Sequence, residues 1–333
     1  MTKALRAIAH RGIAAALFMV LMTVVAAAPA GAAEEEAMDI GGLTVLHLRE
    51  HFYVIAGDGQ NIGLQVGDEG AVLVNAGTAA GSPALMAAVK KITRQPIRMV
   101  IDTSADPEVV GGNAAAATSG LGLYPAGVAP GALIWAQENV LLRMSQGGGQ
   151  AAYAANGWPT YAYLDSYYDL YFNGEPIEML QAPAASTDGD SLVLFRRSDV
   201  VMTGAVMNMS GFPVIDLAHG GSIDGEVAAL NQLLRLAIGP APLIYTAGDG
   251  TYVVPAHGRV GDQWEVIDYR DMVVTIRDTV ASMMKRHMSL AQIEAARPAQ
   301  AYEPRYGSTT GPWTTHMFIE AIYRSLMASK KHG

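Results

Sequence analysis

The stretch at residues 97–118 constrains the fold of this chain more than any other. An apolar run at residues 97–101 (IRMVI) predicts a buried strand. A polar loop follows, and Gly111, Gly112 and Asn113 then lead into a helix of small residues at 114–118 (AAAAT). The polar loop between this strand and this helix is the first candidate for a functional site.

The rest of the chain contains two groups of short strands, each followed by helices. The first group is predicted at residues 43–48, 51–56, 61–66 and 71–75, with glycine-rich turns between the last three strands and a helix at 82–93. The second group is predicted at 177–180, 191–195 and 200–202, with late strands at 243–246 and 252–254. Further helices are predicted at 131–145, 222–238, 262–287 and 314–329, with a short one beginning at Ser289. This order predicts a layered α/β fold, with two packed sheets and helices on both outer faces.

Residues 103–113 (TSADPEVVGGN) resemble, without a gap, the signature segment of the metallo-β-lactamase superfamily, which usually reads T-H-x-H-x-D-H-x-G-G-N. Four further segments resemble motifs of the same family. They are residues 61–77, which end in V-N-A-G in place of the usual V-D-T-G, 183–190 (PAASTDGD), 202–206 (MTGAV) and 254–260 (VPAHGRV). The resemblance extends over residues 43–326 and implies an αββα sandwich. We therefore expect residues 33–333 to form a single domain of this type.

The resemblance also implies seven positions that hold zinc ligands in the family, and only one of them retains its usual residue. The seven positions carry Ser104, Asp106, Glu108, Val109, Ser186, Ala205 and His257, of which only His257 is unchanged. A catalytic zinc ion generally needs three protein ligands of the nitrogen, sulfur or carboxylate kind. Without the metal, nothing lowers the pKa of a bound water to near neutrality. The sequence therefore predicts a member of the fold that has no zinc cofactor and is not a hydrolase of the family kind.

Two other kinds of chemistry stay open for the same residues. Asp106, Glu108, Asp188 and Asp190 could offer oxygen ligands to calcium or magnesium, although calcium prefers six or more oxygens. Alternatively, Ser104 or Ser186 could act as a nucleophile, with His257 as the base and Asp106 as its orienting group. Neither serine lies in a tight turn of the G-x-S-x-G kind, which favours the interpretation that each is a small polar replacement. An ester, lactam or thioester hydrolase with such a repurposed site is the alternative function.

A tyrosine-rich segment at residues 150–173 has two interpretations. It contains six tyrosines and Trp158, and aromatic side chains of this kind suit a cover over a ligand site. The same residues would equally suit a layer that is packed on the sandwich for stability.

The first 32 residues have the pattern of an export signal. Lys3, Arg6 and Arg11 form a basic region, an apolar run follows at 13–25, and Ala30-Gly31-Ala32 supplies a cleavage site of small residues. Removal of three positive charges moves the net charge from −9 to −12, which argues against nucleic acids and anionic membranes as partners. The chain has no cysteine and therefore no disulfide. We expect a periplasmic or secreted protein whose partner is a small molecule or a periplasmic protein.

Overall fold

The computed structural model describes residues 37–123, 131–146, 153–239 and 250–332. In this part of the chain thirteen strands form two sheets. The strands are β1 (Ala37–Ile40), β2 (Leu43–Arg49), β3 (Phe52–Ala56), β4 (Ile62–Gly67), β5 (Gly70–Val74), β6 (Ile97–Ile101), β7 (Leu133–Gln137), β8 (Tyr161–Tyr163), β9 (Tyr167–Phe172), β10 (Glu175–Gln181), β11 (Ser191–Phe195), β12 (Val200–Met202) and β13 (Tyr252–Val254). The described helices are α1 (Ser82–Ile92), α2 (Pro107–Val110), α3 (Asn113–Ser119), α4 (Glu138–Ser145), α5 (Ile223–Leu236), α6 (Gln263–Lys285), α7 (Leu290–Ala295), α8 (Glu303–Tyr306) and α9 (Thr315–His332).

The two sheets are built from consecutive parts of the chain. Sheet 1 has eight strands in the order β1 to β8, and sheet 2 has five strands in the order β13-β12-β11-β10-β9. The first five strands of sheet 1 form an antiparallel meander, after which β5, β6, β7 and β8 run parallel. Helices α1 and α3 lie in the connections between the parallel strands, as parallel pairing requires a crossover.

The two sheets and the helices on their outer faces form four layers, and three apolar clusters pack these layers together. The central cluster joins the inner faces of the two sheets, with Phe52, Val74 and Met99 on one side and Phe195 and Met202 on the other. A second cluster fills the space between sheet 1 and helices α1 and α3. The largest cluster lies between sheet 2 and helices α5, α6 and α9. The predicted αββα sandwich is confirmed.

Two expectations about local structure are wrong. The predicted helix at 131–145 is a strand in its first half, because residues 133–137 are buried beside β6 as β7, and α4 begins only at Glu138. The Gln137 side chain accepts a hydrogen bond from the Asn139 backbone N–H at 2.6 Å and so caps that helix. No strand was predicted before residue 43, yet Ala37–Ile40 pair with β2 as the edge strand of sheet 1.

The capping residues predicted for two helices are present. Asp262 with Glu265 begins α6, and Ser289 with Gln292 begins α7, each as a reciprocal capping box. Among the described residues, no helix is both long enough and apolar enough to cross a membrane. The predicted export signal at 1–32, the glycine run at 147–149 and the predicted strand at 243–246 lie outside the described residues.

Candidate functional site

Loops from both sheets meet at one edge of the sandwich. Asn75 follows β5, residues 102–106 follow β6, and Thr203 and Pro255 follow the parallel strands β12 and β13. The Ser191 backbone N–H donates to the Thr103 carbonyl at 2.9 Å, so the start of β11 lies against the loop after β6. All seven predicted ligand positions belong to loops or short helices around this edge.

Asn75 fixes the shape of the loop after β6. Its backbone has a positive φ of 67°, a conformation that asparagine tolerates better than most residues. Its side-chain Oδ1 accepts hydrogen bonds from the Thr103 backbone N–H at 3.1 Å and from the Thr103 hydroxyl at 2.9 Å. An aspartate could accept the same two bonds, so the change to asparagine at this position keeps the loop and removes a charge.

Ser104 and Asp106 bond to each other within the loop. Ser104 is fully buried, and its Oγ accepts a hydrogen bond from the Asp106 backbone N–H at 3.2 Å. The Asp106 carboxylate accepts from the Gln60 side-chain amide at 3.3 Å. Burial raises the pKa of Asp106, and the repulsion of Asp216 adds to this, while the bond from Ser104 and the charge of Arg143 act in the opposite direction.

Val109 and Glu108 are neighbours on α2 but face different surroundings. Val109 has no exposed surface and packs with Ala105, Ala136 and Val140 in a small apolar cluster. Glu108 is exposed, and its Oε2 lies 3.3 Å from Nε2 of His257. His257 therefore pairs with Glu108 and not with Asp106, the orienting group that the serine hypothesis required.

Ser186 and Ala205 complete the seven positions. Ser186 is buried, and its backbone carbonyl accepts a hydrogen bond from the Asp216 N–H at 2.8 Å. Ala205 lies in a single 3₁₀ turn, Gly204–Val206, beside the loop after β6. Gly204 has a positive φ of 50°, and a Cβ on it would lie 2.6 Å from the Thr103 hydroxyl oxygen. The turn therefore packs closely on the loop, with a methyl group at the position that resembles the family's bridging aspartate.

These side chains do not fit a zinc ion. Val109 and Ala205 offer no donor atom, the Ser104 hydroxyl is a neutral oxygen that is already bonded to the Asp106 N–H, and His257 is paired with Glu108. In the ranges that the structure describes, no three histidine, aspartate or glutamate side chains are grouped so that they could hold a metal ion.

The four carboxylates considered for calcium or magnesium are engaged separately. Asp188 binds Arg143, with Oδ1 and Nη2 at 2.5 Å. Asp190 is buried and accepts hydrogen bonds from the Thr187 backbone N–H at 2.6 Å and from the Thr187 hydroxyl at 3.0 Å. Burial raises the pKa of Asp190 to about 7, and the bonds from Thr187 only partly oppose this. The structure does not bring these groups together as a set of ligands.

The serine triad has no geometric support either. The imidazole of His257 is paired with Glu108, and within the described ranges it makes no hydrogen bond to Ser104 or Ser186. Asp106, the expected orienting group, bonds to Gln60 and to the loop instead of to His257.

Several polar residues around this edge were not singled out by sequence reasoning. Asp102 is fully buried, and its Oδ2 accepts from the Asn113 side-chain amide at 2.7 Å. Within the described residues its Oδ1 has no hydrogen-bond partner, nor has Asn113 Oδ1. Burial raises the pKa of Asp102 well above its usual range, against the effect of the bond from Asn113.

Glu226 on α5 is the second such residue. It has no exposed surface, and within the described part of the chain neither carboxyl oxygen has a hydrogen-bond partner. Burial raises the pKa of Glu226 well above its usual range, and the nearby Asp190 raises it further. Its spacing from Ile223 and Leu230 places it on the apolar stripe of an amphipathic helix, which is a signal that the sequence did contain.

Arg143 and His219 line an opening beside the site. A cavity of about 530 Å³ is bordered by Asn139, Leu142 and Arg143 of α4, by Gln146, by Asp188 and by residues 218–220. His219 Nδ1 lies 2.6 Å from Asp216 Oδ2. The His219 side chain is half exposed, and its pairing with Asp216 could not be predicted from the sequence.

The tyrosine-rich segment is not a lid over most of its length. From Tyr161 to Phe172 it forms β8 and β9, the edge strands of the two sheets. Tyr163 and Phe172 are buried, and Tyr161 and Tyr168 join Trp135 in an aromatic cluster between the sheets. Deletion of these residues would remove a strand from each sheet, so the interpretation as a structural layer holds here. Only the part around Tyr153 lies near the site, where Asp106 contributes to raising the pKa of Tyr153 after the larger effect of burial.

Comparison with solved structures gives a clear answer on the fold. A metallo-β-lactamase from Pontibacter korlensis superimposes with a TM-score of 0.51 at 16% identity, over 72% of this chain and 98% of that chain. The stereoselective inverting sec-alkylsulfatase Pisa1 from Pseudomonas sp. superimposes with a TM-score of 0.60 at 14% identity, over 84% of this chain and 49% of the other. A double mutant of the sec-alkylsulfatase PisA1 gives 0.63 at 14% identity, over 85% and 50%.

The chain has the metallo-β-lactamase fold. It spans about half the length of the two alkylsulfatase chains that it matches. No family model matches the sequence, and no curated protein is similar to it in sequence. The resemblance that the sequence motifs carried is thus confirmed at the level of the metallo-β-lactamase fold.

Proposed function

We propose that this protein is an exported binding module on the metallo-β-lactamase fold, which does not bind zinc and does not catalyse hydrolysis. It would hold a small molecule or a periplasmic protein at the edge where the fold's hydrolases carry their metal site. The sulfatase and lactamase activities named for the structural relatives are therefore not proposed for this chain.

One observation carries the proposal, namely the fully buried position of Val109 in an apolar cluster. A side chain that packs against Ala136 and Val140 contributes to the stability of the loop, and it leaves no room for a ligand to a metal at that position. The one retained histidine, His257, is engaged by Glu108 at 3.3 Å. Without a metal ion, the edge lacks the group that would make a hydroxide nucleophile near neutral pH.

The test is a metal analysis combined with a substrate panel on the same purified sample. The chain is dialysed against zinc, freed of loosely bound ions, and analysed by mass spectrometry for metal content. It is then assayed with aryl esters, a chromogenic lactam, a thioester and an alkyl sulfate ester, beside an active metallo-β-lactamase as the positive control. We expect less than about one tenth of a zinc ion per chain and no turnover above the buffer rate.

Two outcomes would overturn the proposal. Stoichiometric zinc that is lost in His257→Ala would mean that a metal site exists in spite of Val109. Turnover that is lost in Ser104→Ala or Ser186→Ala would favour the alternative hydrolase with a repurposed serine. The export part is tested separately by the mass of the exported protein, which should begin near Ala33 or Glu34.

A further inference from the structure

The cavity beside the site, which we call the Arg143 pocket, is lined mostly by polar side chains. Its volume of about 530 Å³ lies within the range of about 300–1,000 Å³ that small-molecule sites occupy. Most such sites are lined mainly by apolar side chains. Here the lining includes Asn139, Arg143, Gln146, Asp188 and His219, which are all polar.

The charges on these walls are already paired with each other. Arg143 binds Asp188 at 2.5 Å, and His219 binds Asp216 at 2.6 Å. Since a carboxylate only accepts hydrogen bonds, Nδ1 of His219 must carry the proton in this contact. The pocket therefore offers no unpaired cation to an anionic ligand.

The electrostatic potential around the pocket is unfavourable to anions. Asp188 contacts the Arg143 guanidinium, and the Asp216 carboxylate lies against His219 in the same wall, so carboxylates accompany both basic side chains of the pocket. The whole chain carries a net charge of −9. A carboxylate, sulfate or phosphate on a ligand would approach this acidic surface at a cost, while a cationic ligand would meet Arg143 and His219 at the wall.

The walls nevertheless retain capacity for hydrogen bonds of both kinds. Among the described residues, Nε and Nη1 of Arg143 and Nε2 of His219 have no hydrogen-bond partner. The side-chain amides of Asn139 and Gln146 each combine two donors with an acceptor. A hydroxyl group is also both donor and acceptor, so a ligand with several hydroxyls can satisfy such a wall without bringing a charge.

The lining of the pocket also includes one large apolar side chain. Leu142 is 47% exposed on α4 and lines the same pocket. An exposed leucine among polar side chains offers an apolar surface that the C–H groups of a saturated ring can cover.

We propose that the Arg143 pocket binds a neutral, hydroxyl-rich ligand of the saccharide class, an inference that rests on the proposed binding function. The pocket has room for one or two sugar rings. Paired charges and amides would bind the hydroxyls, Leu142 would contact the ring, and the surrounding carboxylates would disfavour acidic sugars.

The experiment measures binding of six probes that differ in charge but share a sugar ring. The neutral probes are methyl α-glucoside, maltose and N-acetylglucosamine, and the charged ones are glucuronate, glucose 6-phosphate and glucosamine. Binding to the purified chain is followed by saturation-transfer NMR and quantified by titration calorimetry. We expect at least one neutral probe to bind, and each charged probe to bind at least about tenfold more weakly.

Three variants locate the site. Leu142→Trp fills the pocket without removing an ion pair, and Arg143→Gln removes the charged donors; each should weaken binding of the neutral probe at least about tenfold. Arg324→Gln is the matched control, because it breaks a surface ion pair with Glu320 on α9, at 2.6 Å, and should leave binding unchanged. Melting curves show that each variant is folded, and Leu142→Trp remains informative if Arg143→Gln is not.

Three results would overturn the inference: no binding of any neutral probe, tighter binding of glucuronate, glucose 6-phosphate or glucosamine than of the neutral probes, or unchanged binding in Leu142→Trp. None of these results bears on the proposed absence of zinc and hydrolysis, which the metal analysis and the substrate panel decide. Conversely, stoichiometric zinc or turnover would overturn the proposed function whether or not a saccharide binds.

Discussion

Both ends of the sandwich bury carboxyl groups, but the hydrogen bonding of Glu175 at one end differs from that of Asp102 and Glu226 at the other. At the end away from the site, Glu175 accepts four hydrogen bonds, from the Gln65 amide, the Ser198 hydroxyl and the backbone N–H groups of Arg197 and Ser198. Because Gln65 belongs to sheet 1 and Glu175 to sheet 2, this network joins the sheets. At the site end, Asp102 and Glu226 are just as buried, yet three of their four carboxyl oxygens have no hydrogen-bond partner among the described residues.

The difference indicates what each end contributes. A buried polar network in which every group is bonded stabilises one arrangement of the chain. Unbonded carboxyl groups cost free energy, and they persist in proteins chiefly where function requires them. The end with Glu175 therefore maintains the sandwich, whereas the end with Asp102 and Glu226 carries a stability cost.

The largest expected effect is the loss of the Glu175 network. Glu175→Ala leaves the Gln65 amide, the Ser198 hydroxyl and two backbone N–H groups without their acceptor, and each buried group left unbonded costs about 1–3 kcal/mol. We expect the free energy of unfolding, measured in urea, to fall by roughly 3–5 kcal/mol. Glu175→Gln, which keeps one carbonyl acceptor, is the milder companion. A loss below about 1 kcal/mol in Glu175→Ala would contradict the contrast between the two ends.

The opposite sign is expected for Glu226. Glu226→Met replaces an unbonded buried carboxyl with an apolar side chain of similar length, which removes a desolvation cost of about 1–3 kcal/mol. The same urea titration at pH 7 should show a gain. A clear loss would mean that Glu226 has a bonding partner in solution, such as an internal water, and that the two ends are alike.

The third prediction concerns pH. Burial raises the pKa of Asp190 from 3.8 to about 7 in the folded chain, so between these values the unfolded chain has released a proton that the folded chain keeps. The folded state then binds more protons, and the free energy of unfolding decreases as pH rises, by about 1.4 kcal/mol per pH unit for one such group. Asp102 and Glu226, whose pKa values burial also raises, act in the same direction.

The measurement compares slopes between pH 5 and 6.5. Asp190→Asn should make the decrease shallower by about 1.4 kcal/mol per pH unit, because the amide does not titrate. Asp68→Asn, which removes an exposed carboxyl from a turn, serves as the control. Equal slopes in wild type and Asp190→Asn would refute the prediction.

The smallest effect is expected from metal ions and from His257. The His257–Glu108 pair is partly exposed, so His257→Ala should change the free energy of unfolding by no more than about 1 kcal/mol. Chelator and added zinc should leave the melting temperature unchanged. A zinc site filled at 100 times its dissociation constant would add about 2.7 kcal/mol, a shift of several degrees by calorimetry. A rise of that size would show that the site end is stabilised by a ligand after all.

The fold was predictable because it depends on sequence signals that each extend over a short stretch of the chain. Turn sequences around 57–59 and 67–70, capping residues such as Asp262, and the frame of residues 103–113 all act within a few positions of the chain. The strand β7 was not predictable from its own residues, since Leu133–Gln137 is a buried parallel strand, and periodicity cannot distinguish such a run from a buried helix.

The sequence predicted the positions of a candidate site, but it could not predict how their side chains pair. The seven predicted residues, from Ser104 to His257, lie on loops and short helices of the structure. Which acid binds His257, and that Arg143 binds Asp188 across 45 residues, depends on how loops from different elements approach each other. Asp102 was missed because it lies just before the motif at residues 103–113. Strands β8 and β9 were missed because a tyrosine-rich composition is equally typical of a surface cover and of an edge strand.

The division of the chain between the two sheets has a consequence for how the protein folds. Sheet 1 uses residues 37–163 and sheet 2 residues 167–254, and only residues 164–166 connect β8 with β9. Most strand partners are consecutive in the chain, which shortens the loops that must close and speeds folding. The first sheet can assemble on the ribosome before the second has been synthesised. Until the second sheet docks, Phe52, Val74 and Met99 are exposed on an open apolar face, so the interval between the two events is the period in which the nascent chain is most prone to aggregate.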